Sequence, residues 1–488
     1  MRATVERCEL APGLSISRVL TGLWQVADME RGGREVDLEA AAAAMVPYAE
    51  AGFTTFDMAD HYGSAEEIAG RFLQHYAPTR QGQLLTKWVP PPGRVTREDV
   101  RAAVQRSLER MRTDRLDLLQ FHAWTYADPH WLDCLFWLQE LKDEGLIAQL
   151  GVTNFDTAHL RIVLKSGVGV VSNQVCFSLL DQRPKNGMTE LCQQHGVKLL
   201  AYGTVAGGFL SERWLKKPEP DREDLRTWSQ MKYRRFIDAA GGWEAYQDLL
   251  VTVSEVAQTH GVSLANVASR YILEQPAVGG VIIGARLGQS EHIQDTLRLF
   301  DFSLDEASYL KIKSALSNLR TLPGDSGDEY RKPPYLTASG DLSHHLETFP
   351  PPFAVRAGSD GRSVALSGTP WEEMAGYCRA VRRGNRILVS GTTATHVDRV
   401  VGKMDAAAQL HFVIDKVEGA LRSLGGRLED VVRTRVYLRH LEDWEAVAWA
   451  HGVRFRDILP ANTLIQAGLV GEEYLVEMEA EAIVASEG

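Results

Sequence analysis

Four side chains able to move or stabilise a proton stand at the ends of apolar runs. Asp57 closes FTTFD, Tyr62 follows it in the loop DHYGSAEE, Lys87 ends QLLTK, and His122 follows LDLLQF. A phenol titrates near 10 when unperturbed, so it is protonated at neutral pH and slow to release its proton. An ammonium beside it stabilises the phenolate, at about 1.4 kcal/mol per unit of acidification. A carboxylate would hold that ammonium in place, and an imidazole can donate to a substrate oxygen. The set suits a reaction that builds negative charge on oxygen, as when hydride adds to a carbonyl. Each residue alone has a structural explanation: an ion pair for Asp57 or Lys87, packing for Tyr62, a satisfied core position for His122. Only their convergence at one place argues for chemistry.

The elements around them predict that convergence. From about residue 16 to 300, strand-like runs alternate with amphipathic helices: ISRVLTGLW, FTTFDMA, QLLTKW, LDLLQFH, IAQLGVTN, VGVVSNQVCF, VKLLAYG and VGGVIIGA. Eight such βα units demand a parallel sheet, and eight close into a (β/α)8 TIM barrel, whose reacting groups gather at the C-terminal strand ends. Those ends carry Trp24, Asp57, Lys87, His122, Thr153, Asn154, Gln174 and Tyr202, with Tyr62 just beyond. Residues 211–242 form a long, charged and aromatic insertion after the seventh strand, of the kind used as pocket covers as often as spacers. No G-x-G-x-x-G follows a strand, which argues against a two-half Rossmann domain.

At 488 residues the chain exceeds what one core organises. The reading is a barrel over 1–320, a Pro/Gly-rich linker over 321–349 (TLPGDSGDEYRKPPYLTASG and beyond), and a small α+β domain over 350–488. A formal charge of −11 excludes nucleic acid and anionic membrane surfaces as main partners. No signal peptide is read at the N-terminus, and no apolar stretch is long enough to span a bilayer. The five cysteines are scattered and never spaced C-x-x-C, so reduced thiols in a cytoplasmic protein are expected, with no metal site.

Residues 1 to about 320 resemble the aldo-keto reductase family, through GFTTFDMADHYG, LLTKW, LLQFH, GVTNF, SNQVCFSLL and AYGTVAGGFL, in order. The resemblance implies Tyr62 as general acid, Lys87 and Asp57 tuning it, and His122 orienting the carbonyl. Thr153, Asn154 and Gln174 would hold the nicotinamide end of a dinucleotide, and Tyr202 would stack on its ring. IIGARLGQSEHIQDTL resembles the phosphate-binding segment, which places Gly284, Arg286 and Ser290 at the far end. A planar guanidinium matches phosphate oxygens well, so NADPH is the expected cofactor, with NADH the alternative. This chain reads Gln294-Asp295-Thr296 where family members carry Glu-Asn. Trp24, Trp88, Trp124 and Phe155, each beside a site residue, are expected to wall the substrate pocket.

The C-terminal domain resembles the Rid (YjgF-like) family through GYCRAVRRGNRILVSGTT, GALRSLGGRLEDVVRTRVYLR and VEMEAEAIV. Tyr377 and Glu477 fall at family cleft positions, but Asn462 stands where active members carry an arginine that clamps a carboxylate, which argues against imine deamination. The resemblance implies a homo-oligomer, a trimer or multiple of three, with this domain as the oligomerisation or ligand-holding module. The expected function is NAD(P)H-dependent reduction of a small-molecule aldehyde or ketone. The alternatives are processing of an imine or enamine, and a non-catalytic NADP(H)-binding scaffold.

Overall fold

The computed structural model describes residues 4–76, 82–338, 342, 346 and 349–485. An antiparallel hairpin, β1 (Arg7–Ala11) and β2 (Leu14–Ser17), precedes a closed parallel barrel. The barrel strands are β3 (Val19–Gly22), β4 (Thr55–Asp57), β5 (Gln83–Trp88), β6 (Leu116–Phe121), β7 (Ile147–Thr153), β8 (Val170–Cys176), β9 (Lys198–Tyr202) and β10 (Val278–Gly284), and β10 pairs back onto β3. Hairpin residues Leu10, Leu14 and Ile16 pack with Leu20, Leu85, Leu118, Leu200 and Ile282, which fills the barrel's interior at the end opposite the site. That leaves the C-terminal strand ends as the open mouth.

Local sequence sets where helices start. Thr96 and Asp99 form a capping box ahead of the helix Arg97–Met111, and Thr227 and Gln230 do the same for Trp228–Ala240. Asp156 caps Thr157–Ser166 by accepting the His159 N–H. The insertion after β9 is thus partly helical, and it folds over the mouth.

The stretch read as linker is not free chain. After the helix Glu306–Leu316, residues 321–338 run back across the barrel mouth, with a short helix at Asp328–Arg331 whose four residues are all buried. Arg183, held by Asp181 (2.7 Å), ties this strap down through Glu329 (2.8 Å). The Arg331 guanidinium donates to the carbonyls of Ala123 (2.6 and 2.9 Å) and Asn154 (2.7 Å). Gly327 has a left-handed φ of +81°, and a side chain there would collide with the Asn154 carbonyl. Residues 339–341, 343–345 and 347–348 of that linker lie outside the described residues.

The second domain is a seven-stranded sheet in the order β11-β12-β13-β14-β19-β17-β18. These are β11 (Ala354–Ala357), β12 (Arg362–Leu366), β13 (Ala380–Arg383), β14 (Arg386–Thr393), β17 (Val431–Leu438), β18 (Ala461–Gln466) and β19 (Val476–Ile483), with β15 (Thr395–His396) and β16 (Arg399–Val400) as a separate ribbon. The helix Ala406–Ser423 is buried almost throughout, between this sheet and the barrel helix Thr157–Ser166. Buried charges join the two domains. His159 lies 2.6 Å from Asp156 and 3.0 Å from Asp415, Arg454 meets Asp415 at 2.7 Å, and Arg161 grips Asp405 at 2.8 Å. Gly419 of the long helix lets it approach the Ala127 carbonyl, on the loop that follows His122. All five cysteines are free.

Candidate active site

Asp57, Tyr62, Lys87 and His122 meet at the mouth and line one cavity of about 650 Å3. Lys87 Nζ donates to Asp57 Oδ2 at 2.7 Å and to the Met58 carbonyl at 2.6 Å. The same ammonium sits 4.9 Å from the centre of the Tyr62 ring. Asp57 Oδ1 accepts from Gln174 at 2.7 Å and Gln120 at 3.3 Å, so the carboxylate is fixed on both oxygens. Burial pushes the Lys87 ammonium below the ordinary lysine value, and Asp57 pulls it only part of the way back. Gly63, with φ +55°, makes the turn that carries Tyr62 over the strand ends.

His122 is held well below the ordinary histidine value, first by burial and then by the Arg331 charge, so it is neutral at physiological pH. Its Nδ1 lies 3.3 Å from the Thr153 carbonyl, which can only accept. Donation to a substrate oxygen therefore belongs to the tautomer with the proton on Nε2, which gives up that contact.

Thr153, Asn154, Gln174 and Tyr202 line the same cavity, and Gly284, Arg286 and Ser290 border its far end. Asn154 adopts a left-handed φ of +57° and accepts from the Tyr202 hydroxyl at 2.8 Å. Glycines 203, 207 and 208, all with positive φ, form the floor between the two ends. A cavity of this size lined by side-chain amides, glycine backbone and a guanidinium has the groups to hold a dinucleotide. Arg286 pairs with Asp28 at 3.1 Å, and the Trp228 amide also donates to Asp28 (3.3 Å). The aspartate thereby ties the inserted helix to Arg286 across the mouth.

Of the four aromatics expected to wall the pocket, Trp24 and Trp124 do. Trp24 packs edge-on to Tyr62 (4.8 Å) and Trp124 edge-on to His122 (4.5 Å). Trp88 and Phe155 do not line it. Trp88 packs on Phe121 at 5.6 Å, and Phe155 lies between Tyr126 and Trp131, in the layer between strands and helices. Successive strand residues point to opposite faces, so the neighbour of inward Lys87 points outward, whereas the strand before Phe155 ends at Thr153 and the left-handed Asn154 turns the chain there.

The family model described as the aldo/keto reductase family matches residues 18–317, well over half of the chain. This chain belongs to the aldo/keto reductase family. The Tas protein of Escherichia coli K12 is 29% identical over 296 residues, which cover 51% of this chain and 82% of Tas. Among solved structures, the glycerol dehydrogenase of Gluconobacter oxydans is 24% identical, covers 66% of this chain and 98% of its own, and superposes with a TM-score of 0.53, a likeness of fold. Behind the aldo/keto reductase barrel, residues 369–484 match the model described as endoribonuclease L-PSP, the Rid family. An uncharacterised protein of Streptomyces coelicolor is 39% identical over 117 residues there, 24% of this chain and 87% of its own.

Four residues of the aldo/keto reductase mouth escaped sequence reasoning: Trp228, Lys232, Tyr330 and Arg331. The first two are on the inserted helix, where the run WSQMKYRRF carried a signal in its mixture of aromatics and cations. The last two are on the strap, where nothing periodic marked them. In the Rid domain, Tyr377 lies against Arg379, at 5.8 Å from guanidinium carbon to ring. Arg379 donates to the carbonyl of Gly391, the glycine that Glu477 packs against. Asn462 is apart from them, on β18, where it donates to Thr434 at 3.0 Å.

Proposed function

We propose that the barrel reduces an aldehyde or ketone to the alcohol with a reduced nicotinamide dinucleotide, NADPH in preference to NADH, and Tyr62 as general acid. The observation that carries this is the buried Asp57–Lys87 pair, with its ammonium against the Tyr62 ring and His122 lining the same cavity. Asn154, Gln174 and Tyr202 would hold the nicotinamide, and Arg286 with Ser290 the adenosine phosphate. When bound, the reduced nicotinamide supplies the hydride. Tyr62 then gives its proton to the carbonyl oxygen, Lys87 stabilises the phenolate left behind, and Asp57 keeps Lys87 in register. Trp24 and Trp124 exclude water from one side of the substrate.

Replacing Tyr62 with Phe should cost about 10² to 10⁴ in turnover while nucleotide binding persists. Carbonyl-dependent NADPH oxidation close to the wild-type rate in that variant would end the proposal.

For the Rid domain we infer assembly, as a trimer or a multiple of three. The sheet face turned away from the long helix exposes Leu388, Ile465 and Ile483 beside charged neighbours, the mixed surface expected of a subunit interface. Mass photometry of the full chain tests this, and a monomer at micromolar concentration overturns it.

A further inference from the structure

The mouth contains a second phenol–ammonium pair. Lys232, on the inserted helix, is 6% exposed and lines the cavity. Its Nζ donates to the Tyr330 hydroxyl of the strap at 2.5 Å. The ring faces of Tyr330 (4.6 Å), Tyr202 (5.1 Å) and Tyr233 (5.9 Å) surround the ammonium. The Tyr330 hydroxyl is 3.2 Å from that of Tyr202, and its ring is 5.6 Å from His122. The charge of Lys232 is close enough to help hold the imidazole neutral. A cation and a phenol from two separate segments are therefore brought to the wall beside the carbonyl-orienting histidine, at the nicotinamide end of the groove rather than beside Arg286.

We infer that Lys232 and Tyr330 form a subsite for an anionic group on the substrate, so that the preferred carbonyl compounds carry a carboxylate. This rests on the reductase reading above. The aromatic faces stabilise the ammonium in a site poor in water and keep it aimed at the cavity. The Tyr330 hydroxyl adds a directional donor that can turn from Tyr202 to a carboxylate oxygen. Because the two residues come from different segments, the subsite exists only when insertion and strap are both in place.

The test compares kcat/KM for 4-carboxybenzaldehyde and 4-nitrobenzaldehyde, similar in shape and different in charge, with NADPH and the full-length chain. Wild type should favour the carboxylate. In Lys232→Met that preference should fall about ten- to a hundredfold, the range of one charge-assisted contact. Tyr330→Phe should lower it severalfold, and Lys232→Arg should keep most of it. If Lys232→Met does not fold, Tyr330→Phe carries the test. An unchanged ratio in the folded variants overturns the subsite, and so does a loss confined to NADPH affinity, which would make Lys232 a pyrophosphate contact. Binding of 4-(hydroxymethyl)benzoate in the presence of NADP+, followed by tryptophan fluorescence, separates this inference from the reductase reading. A protein that turns over neither aldehyde but binds this product in a Lys232-dependent way would keep the subsite and lose the reaction. Equal binding by wild type and Lys232→Met, or none by wild type, overturns the subsite.

Discussion

The role given to Lys87 can be put as a number. Its ammonium lies 4.9 Å from the Tyr62 ring, and at an effective dielectric near 20 a unit charge at that distance stabilises a phenolate by about 3 kcal/mol. Replacing Lys87 with Met removes that term in the step where Tyr62 loses its proton, so the chemical step should slow about a hundredfold. It also leaves Asp57 buried with two amide donors and no cation, and about 3–5 kcal/mol of stability is at risk. The double variant Asp57→Asn, Lys87→Met removes both charges and should recover much of the stability but none of the rate. The assay is single-turnover NADPH oxidation with saturating aldehyde, using protio and 4-deutero cofactor so that hydride transfer is read directly. A Lys87→Met enzyme that is folded, shows the isotope effect and turns over within threefold of wild type would refute the electrostatic account.

Three further outcomes follow from the same geometry. Arg286→Ala should raise KM for NADPH about ten- to a hundredfold and move KM for NADH much less, and equal effects on both would remove the 2′-phosphate role. Arg331→Met strands the Ala123 and Asn154 carbonyls, so it should cost about 2–4 kcal/mol in chemical denaturation and weaken NADPH binding; an effect on stability alone would confine Arg331 to packing. The domain junction should loosen as pH rises. Burial would depress His159, but Asp156 and Asp415 outweigh it and raise its folded value; its contribution is therefore complete below about 6.5 and is lost as pH rises through that higher value. Burial and the Asp156 charge push the strap's Asp325 up to about 7, so it holds its proton more tightly when folded, and its share too is lost by neutral pH. Thermal midpoints should fall from pH 6 to 9, less steeply in Asp415→Asn, and a midpoint rising over that interval would contradict this account.

The barrel and its tetrad were legible because the information is local. Apolar runs give the strands, and the run ends give the residues facing the mouth. Trp88 and Phe155 are beside site residues in sequence but not in space: the two-residue period of a strand turns Trp88 outward, and the left-handed Asn154 redirects the chain at Phe155. Lys232, Tyr330 and Arg331 could not be found that way. Tyr330 and Arg331 lie in a Pro/Gly-rich stretch without period, and what recruits them is a set of distant partners, Arg183, Ala123 and Asn154 among them. Strands β11, β12 and β13 carry little signal in the sequence for a related reason: each is short, and none alternates cleanly between buried and exposed positions.

The strap also constrains how such a fusion can be altered. Residues 325–332 lie beyond the stretch the barrel family shares, yet they roof the chamber and grip two of its loops. A shorter tether, or a different module grafted after residue 320, would rebuild the vestibule as well as the tail. A change in the segment that tethers the second domain is therefore also a change in what the barrel mouth admits.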